Sequence, residues 1–346
     1  MNQFTYSYPT KVYFGEKTAA ESLKQELSKV GKTVMLAYGG GSIKKNGIYD
    51  DLKHLLVQMD KEVVDFSGIM PNPTYAKVQE GARLVQEAHV DFILAAGGGS
   101  VIDCCKVISA QAMLAEDIWD MEYKSSKFPI VGTAASFAIL DPLYTASVPP
   151  MQVLSGAFDT LSHAMETYLG NSDQDNVSDD VALAVMRNTV INMRRLLVDI
   201  NDMQARGNLM WDSAMAENGI LKVGRLTDFQ AHQIEHQLGA YTDCNHGQGL
   251  AVIHPAYYRH ILKDAEEKFT RFAKEVFGAD TAEGGLEALT AFIEKCGLPT
   301  RLSQLKSKVE ITPEILRQVA DTCNIIKCNP RELDRDEIYE ILRECL

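Results

Sequence analysis

Along its first 150 residues the chain alternates short apolar runs with longer amphipathic stretches. Thr33–Tyr38 reads as a buried strand and ends in Gly39-Gly40-Gly41-Ser42. A helical stretch follows from Lys44 to Met59. Glu62–Phe66 is a second strand, closed by Pro71-Asn72-Pro73, and Tyr75–Ala88 is a helix. Phe92–Ala96 is a third strand and runs into Gly97-Gly98-Gly99-Ser100 and another helix; Pro129–Thr133 is a fourth, short strand. Strands alternating with helices predict a parallel sheet covered on both faces, with ligands at the carboxyl ends of its strands.

From about Pro150 the grammar changes. Gln152–Leu169, Asp175–Asn201 and Asp228–Ala240 carry apolar residues at three- and four-residue spacing, and strand signals nearly vanish. The fold class is therefore α/β. A Rossmann-like parallel-sheet domain is expected over residues 1–149, and an all-helical, metal-binding domain over 150–346. The length of 346 residues suits two domains.

Composition narrows the function. The net charge of -13, from 34 basic and 47 acidic residues, disfavours nucleic acid as a partner. No apolar run approaches the roughly 20 residues of a bilayer span, so no membrane association is expected. The opening Met1–Tyr6 lacks the pattern of a secretory signal, and the expected location is cytoplasmic. In that setting the seven cysteines read as reduced core thiols; Cys323 and Cys328 do not have CxxC spacing.

Two glycine-rich turns, each directly after a strand, point to phosphate binding, because glycine lets the backbone approach an anion at a helix start. Neither turn has the GxGxxG form of a standard dinucleotide fingerprint. The first turn continues into Lys44 and Lys45 with no acid before Asp50. An acid would favour NAD by meeting the ribose hydroxyls; lysines favour the 2′-phosphate of NADP(H).

Six of the eight histidines fall after residue 160. Asp159 and His163 stand four apart on one helix, as do His232 and His236 on another, so each pair shares a face. His246 follows beside Gly247 at a turn. Each pair alone would read as an ordinary surface or core feature. Together, in apolar and glycine-rich surroundings, a carboxylate and several imidazoles suit a divalent transition metal.

The run Ser155–Tyr168, the run Asp228–Leu250, both GGGS turns, Gly97–Asp103 and the closing Arg331–Leu346 resemble the iron-containing (group III) alcohol dehydrogenases, in their NADPH-dependent butanol dehydrogenase branch. The resemblance covers almost the whole chain. It implies an active site in a cleft between the two domains. It implies metal ligands Asp159, His163, His232 and His246, holding Fe2+ or Zn2+, with His236 nearby but not ligating; one helical turn from His232, His236 is the candidate proton relay. It also implies that Gly97, Gly98, Gly99, Ser100 and Asp103 hold the pyrophosphate and nicotinamide-side ribose. Gly39, Gly40, Gly41, Ser42 and Lys45 would lie near the adenosine, and Thr133 would join the cofactor site. The implied activity is hydride transfer between NADP(H) and a primary alcohol or aldehyde by a homodimer.

The chain departs from that pattern after Thr133, where the family continues into a Gly-Thr-Gly-Ser-Glu motif and a lysine-bearing hairpin. A smaller shortfall lies near Gly278–Gly285. Loops omitted from the chain as written, or a true deletion, would explain both; we favour the first, because the flanks resume in register. A true deletion would open the alternative of a cofactor- or metal-binding protein without turnover. A polyol dehydrogenase of the same superfamily is the other alternative.

Overall fold

The computed structural model describes residues 4–125, 134–170, 176–327 and 330–346. It divides into two compact units, Pro9–Ser147 and Val148–Leu346, the latter joined by the opening residues up to Tyr8. Thr133 and the strand expected at Pro129–Thr133 lie outside the described residues, as does Cys328.

The first unit contains β1 (Lys11–Phe14), α1 (Ala19–Leu27), β2 (Thr33–Tyr38), α2 (Ser42–Lys45), α3 (Ile48–Gln58), β3 (Glu62–Phe66) and α4 (Tyr75–Glu87). These are followed by β4 (Phe92–Ala96), α5 (Gly99–Met113), α6 (Ile118–Tyr123) and β5 (Phe137–Leu140). Three strands form a parallel sheet in the order β3-β2-β4. Strand β2 is central and buried on both faces. Val34, Leu36 and Tyr38 pack with Leu23, Leu27, Leu52 and Leu56 from α1 and α3. Met35 and Ala37 pack on the other face with Val78, Val101, Cys104 and Ile108 from α4 and α5. The period-two alternation of β2 thus feeds two separate cores.

Two elements differ from expectation. The helix expected over 44–59 is broken at Gly47, whose φ of 83° lies in the left-handed region. Strands β1 and β5 pair in parallel, Lys11 with Phe137 through Phe14 with Leu140, as a separate two-stranded ribbon. They were not expected as strands, since each has only four residues and neither is deeply buried.

The second unit contains α7 (Pro150–Leu169), α8 (Val177–Val198), α9 (Met203–Glu217), α10 (Gln230–Thr242), α11 (His246–Ile261), α12 (Glu266–Phe272), α13 (Ala282–Lys295), α14 (Pro313–Thr322) and α15 (Arg335–Glu344). One continuous apolar core runs through it, including Phe158, Leu161, Met186, Ile234, Leu250, Tyr257 and Leu289. The connection near Gly278 is closed by a C-terminal cap: Gly278 adopts φ 74°, and its N–H and that of Ala279 donate to the carbonyls of Lys274 and Ala273. No helix of the described residues is long and apolar enough to cross a membrane. The six described cysteines are free and buried.

Candidate metal centre and cofactor turns

Helix α7 starts with Pro150 at its first position, where a missing N–H costs nothing. Along most of its length it is buried. Its less buried stripe runs through Val153, Gly156, Asp159 and His163, at three- and four-residue spacing. That stripe carries the first two candidate ligands. The space where a Gly156 side chain would stand is open.

Helix α10 is bracketed by two non-glycine residues in the left-handed region, Phe229 (φ 59°) and Asp243 (φ 54°). Asp228, fully buried, fixes the entry: its carboxylate accepts from the Tyr257 hydroxyl at 2.8 Å and from the Gln230 N–H at 3.2 Å. His232 is then buried on the inward face of α10. His246 opens α11, where Asn245 caps the helix by accepting from the Gln248 N–H. Close helix crossing here needs glycine. A Cβ at Gly247 would lie 2.2 Å from the Ser155 carbonyl oxygen of α7, and one at Gly249 would lie 2.7 Å from Glu235 Oε1.

These elements bring four candidate ligands together. Asp159 Oδ1 lies 3.5 Å from His163 Nε2, 3.5 Å from His232 Nε2 and 3.4 Å from His246 Nε2. His163 and His232 face each other through their Nε2 atoms at 3.1 Å. Donor atoms of Asp159, His232 and His246 all lie within 4.8 Å of one another. Asp159 Oδ1 is buried with no hydrogen-bond partner in the structure. Contacts of 3.4–3.5 Å are long for hydrogen bonds. They match the separation of about 3.4 Å between donors tetrahedrally placed roughly 2.0–2.1 Å from a zinc-sized ion. The donor set therefore fits a divalent transition metal.

Two residues that sequence reasoning missed stand behind the ligands. Glu166 is fully buried on α7; its carboxylate meets His232 Nδ1 and accepts from the Ala231 N–H at 2.7 Å. Glu235 on α10 meets His246 Nδ1. Each carboxylate holds the proton on Nδ1 and so turns Nε2 toward the centre. Their signal was present as spacing: each lies three residues after a ligand, Glu166 after His163 and Glu235 after His232. A third missed group is Glu217, at the end of α9, with Oε1 2.7 Å from His163 Nε2.

The electrostatics follow from this pairing. Burial works against charge at Asp159, yet His232 and His246 beside it outweigh that and hold its carboxyl below the usual range. Burial likewise opposes protonation of His232 and His246. The carboxylates around them prevail, Glu166 and Asp159 raising His232 to about 9, and Asp159 and Glu235 raising His246 to about 10. A metal ion would replace those protons as the compensating positive charge.

His236 is exposed on α10, its ring stacked on His246 with centroids 5.2 Å apart and 5.8 Å from the His232 ring. Loss of solvent and the charges of His246 and His232 push it down to about 4. Of the remaining histidines, His254 is buried against the Ser162 hydroxyl at 2.6 Å, and His260 meets Glu337 at 3.2 Å. His54 meets Gln58, and His89 sits in a turn with φ 50°.

In the first unit, Tyr38 aligns with Ala96 at the ends of adjacent β2 and β4, so both glycine turns leave the sheet at one edge. The chain moves outward from β2 to β3 and returns to β4 on the opposite side, which makes this the reversal point where such sheets bind ligands. A Cβ at Gly40, Gly41, Gly98 or Gly99 would meet nothing within 4 Å. Helix α5 begins at Gly99 with no side chain capping it, so free N–H groups face this open space. These features fit a dinucleotide's phosphates. Ser42, Lys45 and Asp103 are exposed at the same turns, Asp103 pairing with Lys106. Lys44 lies over the Tyr49 ring at 4.6 Å. Asp65, near the end of β3, is an acid the reading of the first turn overlooked; it accepts from the Tyr49 hydroxyl at 2.7 Å and pairs with Lys53 at 3.3 Å.

A reversal-point sheet with open glycine turns, and a carboxylate with three imidazoles, two of them backed by buried carboxylates, define a metal-dependent nicotinamide oxidoreductase. The chain belongs to the iron-containing alcohol dehydrogenase family: residues 9–140 match the iron-containing alcohol dehydrogenase model, and residues 153–346 match the C-terminal model of that family. It is 32% identical to NADH-dependent butanol dehydrogenase A of Clostridium acetobutylicum, covering 99% of this chain and 100% of that protein. That alignment runs over 392 residues, so the relative carries residues with no counterpart in this chain of 346. The chain is 30% identical to the NADPH-dependent aldehyde reductase YqhD of Escherichia coli, over 93% of this chain and 94% of that one. The crystal structure of a butanol dehydrogenase from Thermotoga maritima superposes with a TM-score of 0.91 at 28% identity, over 100% of this chain and 99% of that one.

Proposed function

We propose that the protein interconverts small primary alcohols and aldehydes with NADP(H), at one divalent ion, Fe2+ or Zn2+, held by Asp159, His163, His232 and His246. The observation that carries this reading is the buried, unpartnered Asp159 Oδ1 facing three imidazole nitrogens at 3.4–3.5 Å. When bound, a divalent ion supplies Lewis acidity toward an alcohol or carbonyl oxygen, and the nicotinamide gives or takes the hydride. The protein's own part is positioning. Glu166 and Glu235 hold the His232 and His246 rings in one tautomer and orientation. His236, exposed and stacked on His246, carries the proton between the reacting centre and solvent. In the other unit, the backbone at Gly39–Ser42 and Gly97–Ser100 takes the phosphates, Asp103 the ribose and Lys45 the 2′-phosphate.

NADP(H) is favoured by Lys44 and Lys45 in an acid-free turn. An NADH reading has its own support, because butanol dehydrogenase relatives are named NADH-dependent and Asp65 brings a carboxylate to the neighbouring strand. A diol substrate is the second reading; a relative at 27% identity is the 1,3-propanediol dehydrogenase of Klebsiella pneumoniae. The test is elemental analysis of the purified protein, with initial rates on aldehydes and diols under NADPH and NADH. Bound Fe2+ or Zn2+ and faster aldehyde reduction with NADPH are expected. Metal binding without turnover on any substrate would favour the non-catalytic alternative. Sizing in solution checks the expected homodimer.

A further inference from the structure

His163 differs from the other two imidazoles. His232 and His246 each have a carboxylate behind them at Nδ1, but His163 Nδ1 is buried with no hydrogen-bond partner in the structure. Its orientation is set from the front. There Nε2, the nitrogen that faces Asp159 and His232, also meets Glu217 Oε1 at 2.7 Å. Glu217 ends α9, and its side chain is about half exposed, meeting the ligand-facing nitrogen of His163.

We propose that Glu217 is a fifth donor to the metal, one that biases the centre toward Fe2+ or Mn2+ over Zn2+. This rests on the metal-centre reading above. Neighbouring donors about 2.1 Å from a five- or six-coordinate ion lie roughly 3 Å apart, closer than the roughly 3.4 Å of a tetrahedral set. The His163–His232 separation of 3.1 Å matches the first spacing, and the Glu217–His163 separation of 2.7 Å lies on its short side, well below the tetrahedral one. The separations from Asp159 to the imidazoles, 3.4–3.5 Å, belong to the second. A second carboxylate also brings the ligands' charge to match a dication, with three neutral imidazoles completing the set. Oxygen-rich, higher-coordinate sites suit Fe2+ and Mn2+, whereas Zn2+ is content with four ligands.

The experiment is a chelator-competition titration of the full chain and of Glu217→Leu with Mn2+ and with Zn2+, together with the visible spectrum of each protein loaded with Co2+. Glu217→Leu is expected to weaken Mn2+ at least about ten-fold and Zn2+ much less. Its Co2+ absorption is expected to intensify as the coordination number falls. Glu217→Gln, which keeps an oxygen donor without charge, is expected to fall between. Unchanged Mn2+ and Zn2+ affinities, or an equal loss for both ions with an unchanged Co2+ spectrum, would overturn the proposal and leave Glu217 a surface partner of His163. Failure of the unaltered chain to bind any of these ions would overturn the metal centre itself, and this inference with it.

Discussion

Glu166→Gln tests whether a buried carboxylate tunes the centre without touching its ligand-facing side. Glu166 is fully buried, so the substitution changes charge and hydrogen bonding while nearly conserving volume. Its two oxygens serve two donors, His232 Nδ1–H and the Ala231 N–H. A glutamine offers one acceptor oxygen and an NH2 group, so one donor must face another donor. Losing one charge-assisted hydrogen bond and stranding a buried donor costs about 1.5–3 kcal/mol. Much of that falls on the His232 tautomer with Nε2 free to ligate, so metal affinity should drop. At about 1.4 kcal/mol per factor of ten, the drop is roughly 10–100-fold, the range typical for partners behind a metal-bound histidine. The assay is Zn2+ affinity by chelator competition, with circular dichroism to verify folding. An affinity within about two-fold of the unaltered chain, in a folded variant, would refute the claim that Glu166 orients a ligand.

Further expectations follow from the same geometry. His232→Ala should abolish metal binding, whereas His236→Ala should keep the metal and lose rate; equal metal loss in both, by elemental analysis, would overturn that division. Gly249→Ala places a Cβ 2.7 Å from Glu235 Oε1 and should weaken the metal about ten-fold by displacing the partner of His246; an unchanged affinity would mean that Glu235 gives way freely. Lys45→Ala should lower the NADPH-to-NADH ratio of kcat/KM by roughly ten-fold, the worth of one exposed charge-assisted contact; an unchanged ratio would remove Lys45 from the 2′-phosphate site. Asp212 is buried and pushed up to about 6, above its ordinary value of 3.8. Its protonated form is thus favoured by folding, and its contribution is present at low pH and lost as pH rises through about 6. Relative to Asp212→Asn, the unaltered chain should lose stability between about pH 4 and pH 6, read from urea midpoints; parallel curves would refute this.

Much of the fold was legible because burial leaves a plain trace in composition. The strands at 33–38, 62–66 and 92–96 match their expected bounds residue for residue; central β2 is apolar on both faces, whereas edge strand β3 keeps Glu62 and Asp65 exposed. Lys11–Phe14 and Phe137–Leu140 left no such trace, being short and only partly buried. The break at Gly47 was hidden because apolar spacing continues through it. Among the candidate ligands, spacing of four on a helix brought Asp159, His163 and His232 forward, and His246 stood out beside Gly247 at a turn; only the tertiary fold shows that they meet. Glu166 and Glu235 escaped notice because acidic residues on a helix ordinarily face water, and their burial depends on how α7, α10 and α11 cross. Glu217 comes from another helix altogether, with no local signal toward His163.

The most direct measurement of the central claim is nicotinamide-dependent aldehyde reduction followed through chelation and remetallation of one preparation. Loss of activity as the ion leaves, and its return on adding Fe2+ or Zn2+ at one per chain, is the predicted result. Turnover that persists in the stripped protein would contradict the account.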